Sequence, residues 1–390
     1  MALPNVKITQ LNGQLGTLPP NEDGVAGLLV RTSETLPAGV TAQTAYLLRS
    51  TADASDLGID GFAFQHISDF YRQAPVNAAL YVSFLTNTDA PTVADAIDSS
   101  GSGSDFAGAF MDQAEGKIKL LGVVSDITDT TTTALAAGIT NAVVKAKEFT
   151  GNQAAEFRYV SVLLEAKTPD GLIADLPNLR SNEANRVSVM TGADTTTAGD
   201  NTSIGLLLGR LAADPVNRNP GRVKSGAVLT VNAGFSNGNP LTDYREGDFV
   251  TLNDKGYIFF RAHDGLNGFY FNDDHTATVT TDDFAGISSG RTIDKSSRIA
   301  KRIYTNELLD EVDLNDDGTM RPSVIAYFQS VLQNAIAGEM ANEISNVIVF
   351  ADPTQNVAQT NEINVTMSIT RKGQAKAINV TIGFTAPGTA

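Results

Sequence analysis

The sequence predicts two domains of different class, a layered α/β domain followed by an α+β domain, with an extended β arm at each end. Three observations predict it. From Gly24 to Ala213, apolar runs of strand length alternate with helix-like stretches. Beyond Pro220, short strand pairs give way to two long helices. At both ends, apolar and polar residues alternate with a period of two.

In the first part, strands are expected at 24–31, 78–85, 117–124, 159–164 and 186–190, all rich in Val, Leu and Ile. Helices are expected at 62–73, 104–114, 131–149 and 174–183, giving β-α-β units with right-handed crossovers. The run from Ser99 to Ser104 reads as a flexible surface loop. In the second part, a hairpin is expected over 248–252 and 257–261 about the turn Asn253-Asp254-Lys255-Gly256, with further strands at 269–271 and 277–280. Helices follow at 291–312 and 322–343. The second carries Pro322 in its first turn and Ile325, Phe328, Leu332, Ile336 and Met340 at helical spacing. One more strand is expected at 346–350.

The N-terminal arm, residues 1–21, holds the alternating stretch Val6, Ile8 and Leu11 before loop signals at Asn12-Gly13 and Pro19-Pro20. It lacks the basic start and long apolar run of a secretory leader. At the other end, Ile363, Val365, Met367 and Ile369 occupy odd positions and Ile378, Val380, Ile382 and Phe384 even ones, about the turn Arg371-Lys372-Gly373-Gln374. That change of phase predicts a hairpin over 361–390. A lone hairpin is marginal in water, so this one needs a covering layer from its own domain or from another chain. The expected boundaries are therefore 1–21, 22–225, 226–360 and 361–390.

Composition narrows the function. The 390 residues suffice for two or three cored domains, and 42% hydrophobic content is ordinary for a globular protein. No run approaches the roughly 18 apolar residues of a membrane span. Without cysteine there is no disulfide, thiolate ligand or cysteine nucleophile. A net charge of −16, from 44 acidic and 28 basic residues, argues against binding nucleic acid.

Four local patterns resemble chemical sites; three fail a requirement of the chemistry and the fourth has a simpler reading. Gly192 to Asp200 is a polar, glycine-bearing loop between strand and helix, where α/β proteins hold phosphate, but it has two aspartates and no lysine. Asp313-Leu314-Asn315-Asp316-Asp317-Gly318 opens like a calcium loop, yet its twelfth place is Val324 rather than a bidentate acid. Gly286-Ile287-Ser288-Ser289-Gly290 matches a nucleophile elbow, but His66, His263 and His275 all precede Ser288. Asp273, Asp274 and His275 have the donor atoms to bind a metal with His263, and read more simply as a solvated hairpin turn. No catalytic residue, cofactor or metal is therefore expected. The remaining signal is a basic stripe, Arg291, Lys295, Arg298 and Arg302, which at about 100° per residue shares one helix face. It suits either an acidic partner or a solvated face with internal acids such as Asp294.

The stretch Ser203-Ile204-Gly205-Leu206-Leu207-Leu208-Gly209-Arg210-Leu211-Ala212-Ala213-Asp214, followed by Pro220-Gly221, resembles the segment that precedes the core domain in tail sheath proteins of contractile phages and phage-derived injection systems. The basic helix, the helix after Pro322 and the final alternating segment follow in the same order. The resemblance implies an outer α/β domain, an inner α+β sheath core and terminal arms that join a β-sheet shared with neighbouring subunits. It implies a homo-oligomeric, non-enzymatic sheath that contracts around a tail tube, with Arg291, Lys295, Arg298 and Arg302 as tube-facing candidates and baseplate and terminator proteins as further partners. It also implies assembly in the bacterial cytoplasm into a virion tail or injection particle. Another self-assembling surface or capsid-type protein, or an α/β enzyme, are the alternatives.

Overall fold

The computed structural model describes residues 22–384 apart from 101–104, 128–131, 169–172, 197–200 and 231. The expected arm with Val6, Ile8 and Leu11 lies outside the described residues. The chain divides into two compact units, residues 1–295 and 296–390.

The first unit is organised by a seven-stranded sheet. Its strands are β1 (Ala26–Thr32), β2 (Tyr46–Leu48), β3 (Leu80–Thr86), β4 (Leu120–Ser125), β5 (Ser161–Glu165) and β6 (Val187–Met190), with β9 (Tyr257–Ile258) at one edge. The spatial order is β2-β3-β1-β4-β5-β6-β9. Every pairing is parallel except β2 with β3. Strands β1, β4, β5 and β6 are buried at every residue, which is why they read as continuous apolar runs without alternation. Two short pairs accompany the sheet. One joins β7 (Gly192–Asp194) to β8 (Ala233–Phe235); the other joins β10 (Phe260–Arg261) to β11 (Tyr270–Phe271).

The helices of this unit are α1 (Thr51–Asp56), α2 (Gly61–Gln73), α3 (Val93–Ala96), α4 (Phe106–Gln113), α5 (Thr132–Ala155), α6 (Ile204–Ala213) and α7 (Glu246–Lys255). Helix α5 packs on β5 and β6, and α6 packs on β4, β5 and α2. The α2–α6 approach explains the small-residue segment noted in the sequence. A Cβ at Gly205 would meet the His66 carbonyl oxygen at 2.2 Å, so only glycine lets the two backbones come this close.

Three expectations in this unit are corrected. Residues 277–280 form no strand, Ala277 making only an isolated bridge to Ala184. Residues 174–183 form two single turns, Ile173–Asp175 and Leu179–Ser181, because Pro177 between them has no N–H for a continuous helix. Residues 248–252 are not a strand but part of α7. The Asp248 carboxylate accepts the Arg245 N–H at 2.9 Å at the helix start, and Gly256 takes the left-handed conformation, φ +93°, that closes the last turn. The glycine read as a hairpin turn is a helix C-terminus. Tyr257–Ile258 then adds to the large parallel sheet through Val189 and Met190.

Helix α8 (Ile287–Thr305) runs across the division between the units. The second unit continues with α9 (Pro322–Glu339), β12 (Ile344–Ala351), α10 (Val357–Thr360) and β13 (Val365–Arg371). Strands β12 and β13 form an antiparallel ribbon, pairing Val347 with Ile369, Val349 with Met367 and Ala351 with Val365. Helix α9 packs on β12, burying Phe328, Leu332 and Ile336 with Val347, Val349 and Ala351. The hairpin expected over 361–390 is corrected accordingly. Its first strand pairs with β12, whose buried alternate positions match the apolar face of Val365, Met367 and Ile369, and residues 372–384 make no strand pairing within the described residues. Among the described residues, no helix is long and apolar enough to cross a membrane.

Candidate assembly surface

Period-two sequence has a definite consequence at the β12–β13 ribbon. Val347, Val349 and Ala351 face α9, so Ile348 and Phe350 between them point outward, at 57% and 53% exposure. Opposite them on β13 stand Ser368 and Thr366, also exposed. Among the described residues the ribbon has only two strands, and no further strand pairs with its outer edges. At one position the structure satisfies such a group with a side chain, the Val349 N–H donating to Gln333 Oε1 at 3.4 Å. An open edge with an apolar outer face is a template for a further strand.

The same unit carries a segment with donor character. Ile378, Val380, Ile382 and Phe384 are all strongly exposed, and they alternate with Asn379, Thr381 and Gly383. Large apolar side chains in this pattern are costly to leave in water, and a strand-shaped partner site covers all of them at once. The outward pair Ile348 and Phe350 was not singled out from the sequence. Its signal was the alternation in 346–350, which does not say which of its two faces is covered.

The basic stripe divides along its length. Arg291 is buried and donates from Nη2 to the Asp23 carbonyl at 3.2 Å, and Lys295 Nζ stands 2.9 Å from Asp23 Oδ2. Beside them, Arg186 pairs with Asp294. Arg298 is half-buried, and exposed Arg302 pairs with Glu339 of α9. The helical arc predicted for the four residues is present, but its first half ties the start of the first unit to α8.

The patterns that resembled chemical sites serve the fold. Asp273, Asp274 and His275 are buried, which corrects the expected solvated turn. Asp274 Oδ2 accepts the Ser288 N–H at 2.9 Å together with its hydroxyl, and so holds the first turn of α8. The supposed nucleophile is thus bonded to a carboxylate at a helix start. His275 Nδ1 lies 3.2 Å from Arg180 Nη2 and its Nε2 lies 2.8 Å from Asn253 Oδ1, so both ring nitrogens are engaged in structural bonds. His263 instead packs at a tilt against the Tyr270 ring, centroids 5.3 Å apart. At the calcium-like sequence, Asp317 Oδ1 accepts from the Thr319 N–H at 3.0 Å and hydroxyl at 2.6 Å, in a tight turn closed by Gly318 at φ +83°. Gly192 to Asp194 is a strand rather than part of a phosphate loop; residues 197–200 lie outside the described residues.

Profiles of the DUF2586 N-terminal and C-terminal domains match residues 3–275 and 283–389. The chain belongs to the DUF2586 family. No curated protein matches this DUF2586 chain. Its fold is that of contractile sheath proteins. It is similar to the helical sheath of the anti-feeding prophage in the contracted state, with TM-score 0.63, 13% identity and coverage of 99% of each chain. It is similar to the contracted sheath of the extracellular contractile injection system PVC, with TM-score 0.60, 10% identity and 98% of each chain. The sheath tail protein of Desulfitobacterium hafniense matches at TM-score 0.53 and 13% identity, over 94% of the DUF2586 chain and 100% of its own.

Proposed function

We propose that the chain is the structural subunit of a contractile tail sheath, non-enzymatic and without a cofactor. It polymerises as a helical array around a tail tube by passing terminal strands between copies, and contracts to drive the tube through a target envelope. The observation that carries this reading is the juxtaposition in one unit of an open β12–β13 ribbon and the exposed alternating segment of Ile378, Val380, Ile382 and Phe384. Covering each of those four side chains stabilises the assembly by roughly 1.5–3 kcal/mol, before the cost of ordering the segment. Main-chain pairing also suits a polymer whose subunits slide past one another, because it does not depend on side-chain contacts that change on contraction.

On this reading the arms are residues 1–21 and the end of the chain, with Val6, Ile8 and Leu11 pairing alongside. Residues 22–225 form the outer domain and 226–360 the inner core. The tube faces the basic helix, where Arg298 and Arg302 are the members of the stripe placed to reach it. Baseplate and terminator proteins close the ends, and the particle assembles in the bacterial cytoplasm.

The test is electron microscopy of the purified chain with and without residues 377–390. The full chain should form striated tubes. The shortened chain keeps β13 and its pairing with β12, and should stay folded and monomeric. Long tubes from the shortened chain would overturn the strand exchange, and flat lattices or closed shells from the full chain would overturn the sheath.

A further inference from the structure

Buried charge concentrates at the carboxyl end of β5, away from the assembly surface. Lys167 and Glu165 have side chains only 4% exposed each, with Lys167 Nζ 3.9 Å from Glu165 Oε1. Lys167 Nζ also lies 3.5 Å from Asn201 Oδ1 and donates to the Ser125 carbonyl, and it stands over the Phe62 ring at 5.8 Å from the centroid. Glu165 in turn accepts the Ser125 N–H at 2.7 Å on Oε1 and the Thr202 hydroxyl at 3.3 Å on Oε2. A buried amine and carboxyl group are thus held beside the half-buried carboxamide of Asn201. Burying an ion pair contributes little to stability by itself, because desolvation offsets the attraction.

We infer that Lys167 and Asn201 form an intramolecular amide bond in the folded protein, with Glu165 as the proton carrier. The Lys167 ammonium passes a proton to Glu165, and the free amine attacks Asn201 Cγ. Glu165 hydrogen-bonds the developing oxyanion, protonates the departing Nδ2 and then takes the second proton from Nζ as the amide forms. The N–C bond of the carboxamide breaks, the new Nζ–Cγ bond remains, and ammonia leaves. Nothing is oxidised or reduced, and no co-reactant is required. Burial raises the Glu165 carboxyl above the usual carboxylate range, against the pull of Lys167, which suits a group that must both take and return a proton. Holding amine and carboxamide in contact replaces an encounter that is very slow between free groups in water. The product staples the end of β5 to the residues entering α6, across 34 positions of sequence. A neutral amide then replaces the buried ammonium.

Intact mass spectrometry of the folded full chain tests this. The mass should fall about 17 Da below that required by the sequence, the ammonia lost. Trypsin should then fail to cut after Lys167 and release peptide 159–180 joined to peptide 187–210. An unreduced mass overturns the inference. So does a reduced mass with the two peptides separate, which would mark cyclisation of Asn201 on its own backbone. Asn201→Asp should still close, losing about 18 Da as water. Glu165→Gln should abolish the mass loss while circular dichroism shows a folded chain, and a cross-link persisting in it would overturn the role of Glu165. Should either variant fail to fold, the mass and peptide map of the unaltered chain decide alone.

Discussion

Gly209 of α6 lies so close to Phe70 of α2 that a Cβ added there would come within 2.3 Å of the Phe70 carbonyl oxygen. Gly205, one turn earlier, stands in the same relation to His66. A glycine within a helix costs about 1 kcal/mol relative to alanine, so these positions are held by packing against propensity.

Gly209→Ala should therefore destabilise the first unit. Alanine gains about 1 kcal/mol of helix propensity, but the contact is with backbone, which yields only if a whole helix moves; overpacking costs typically 1–3 kcal/mol and should win. Gly338→Ala on α9 is the control. A Cβ there meets nothing within 4 Å, so that variant should be neutral or slightly stabilised. Thermal unfolding of both variants checks the sign, and a stabilised Gly209→Ala would refute the close packing.

Two buried groups on α2 should pull stability in opposite directions with pH. His66 is buried with no hydrogen-bond partner on either ring nitrogen among the described residues, and desolvation, helped by Lys167, pushes it down to about 3. Below pH 6.5 the unfolded chain takes up a proton that the native chain refuses, so this group loses stability as pH falls. Asp69 is pushed up to about 6 by burial, against the pull of Arg72, so it contributes stability as pH falls from 6 towards 4. His66 is displaced further, and its loss dominates. Denaturant midpoints between pH 7 and 4 should fall more steeply in Asp69→Asn than in the unaltered chain, and less steeply in His66→Leu.

Calcium should leave the protein unmoved. Asp317 is committed to Thr319, Asp313 Oδ2 lies 3.7 Å from Arg321 Nη1, and Val324 offers no carboxylate. Millimolar calcium occupies even weak extracellular-type sites and would raise the thermal midpoint if one existed here. A clear upward shift would contradict the turn geometry.

Reversal of the basic stripe should be confined to its second half, half-buried Arg298 and exposed Arg302. Arg291 and Lys295 hold Asp23, so changing them damages the fold as well as any interface. Arg298→Glu with Arg302→Glu should block ordered assembly on the tube with circular dichroism nearly unchanged. Each exposed pair is worth only about 0.2–1 kcal/mol, but on the proposed reading every subunit of the sheath repeats it. Assembly of the unaltered chain on the tube should also weaken with rising salt. Normal assembly of the double variant would place the tube-facing surface elsewhere.

The strands of the parallel sheet were legible because burial on both faces demands continuous apolar runs, and β1, β3, β4, β5 and β6 all fall where such runs stand. Helices α2, α5, α8 and α9 were legible from periodicity, and the alternating C-terminal segment from period two. Where local signals serve two structures equally, tertiary packing decided. Gly256 closes a helix as readily as a hairpin, and Asp248 made it a helix. Val365 to Arg371 had a strand's pattern and was expected to pair with Ile378 to Phe384, but β12 took that place, leaving Ile378 to Phe384 exposed. The elbow at Ser288 and the acids at Asp273 and Asp274 looked like two separate sites, and only the fold made them one helix cap. Lys167, Glu165 and Asn201 are unremarkable in sequence, because what sets their chemistry is the loss of water around them, and burial is a property of the whole fold rather than of any local pattern.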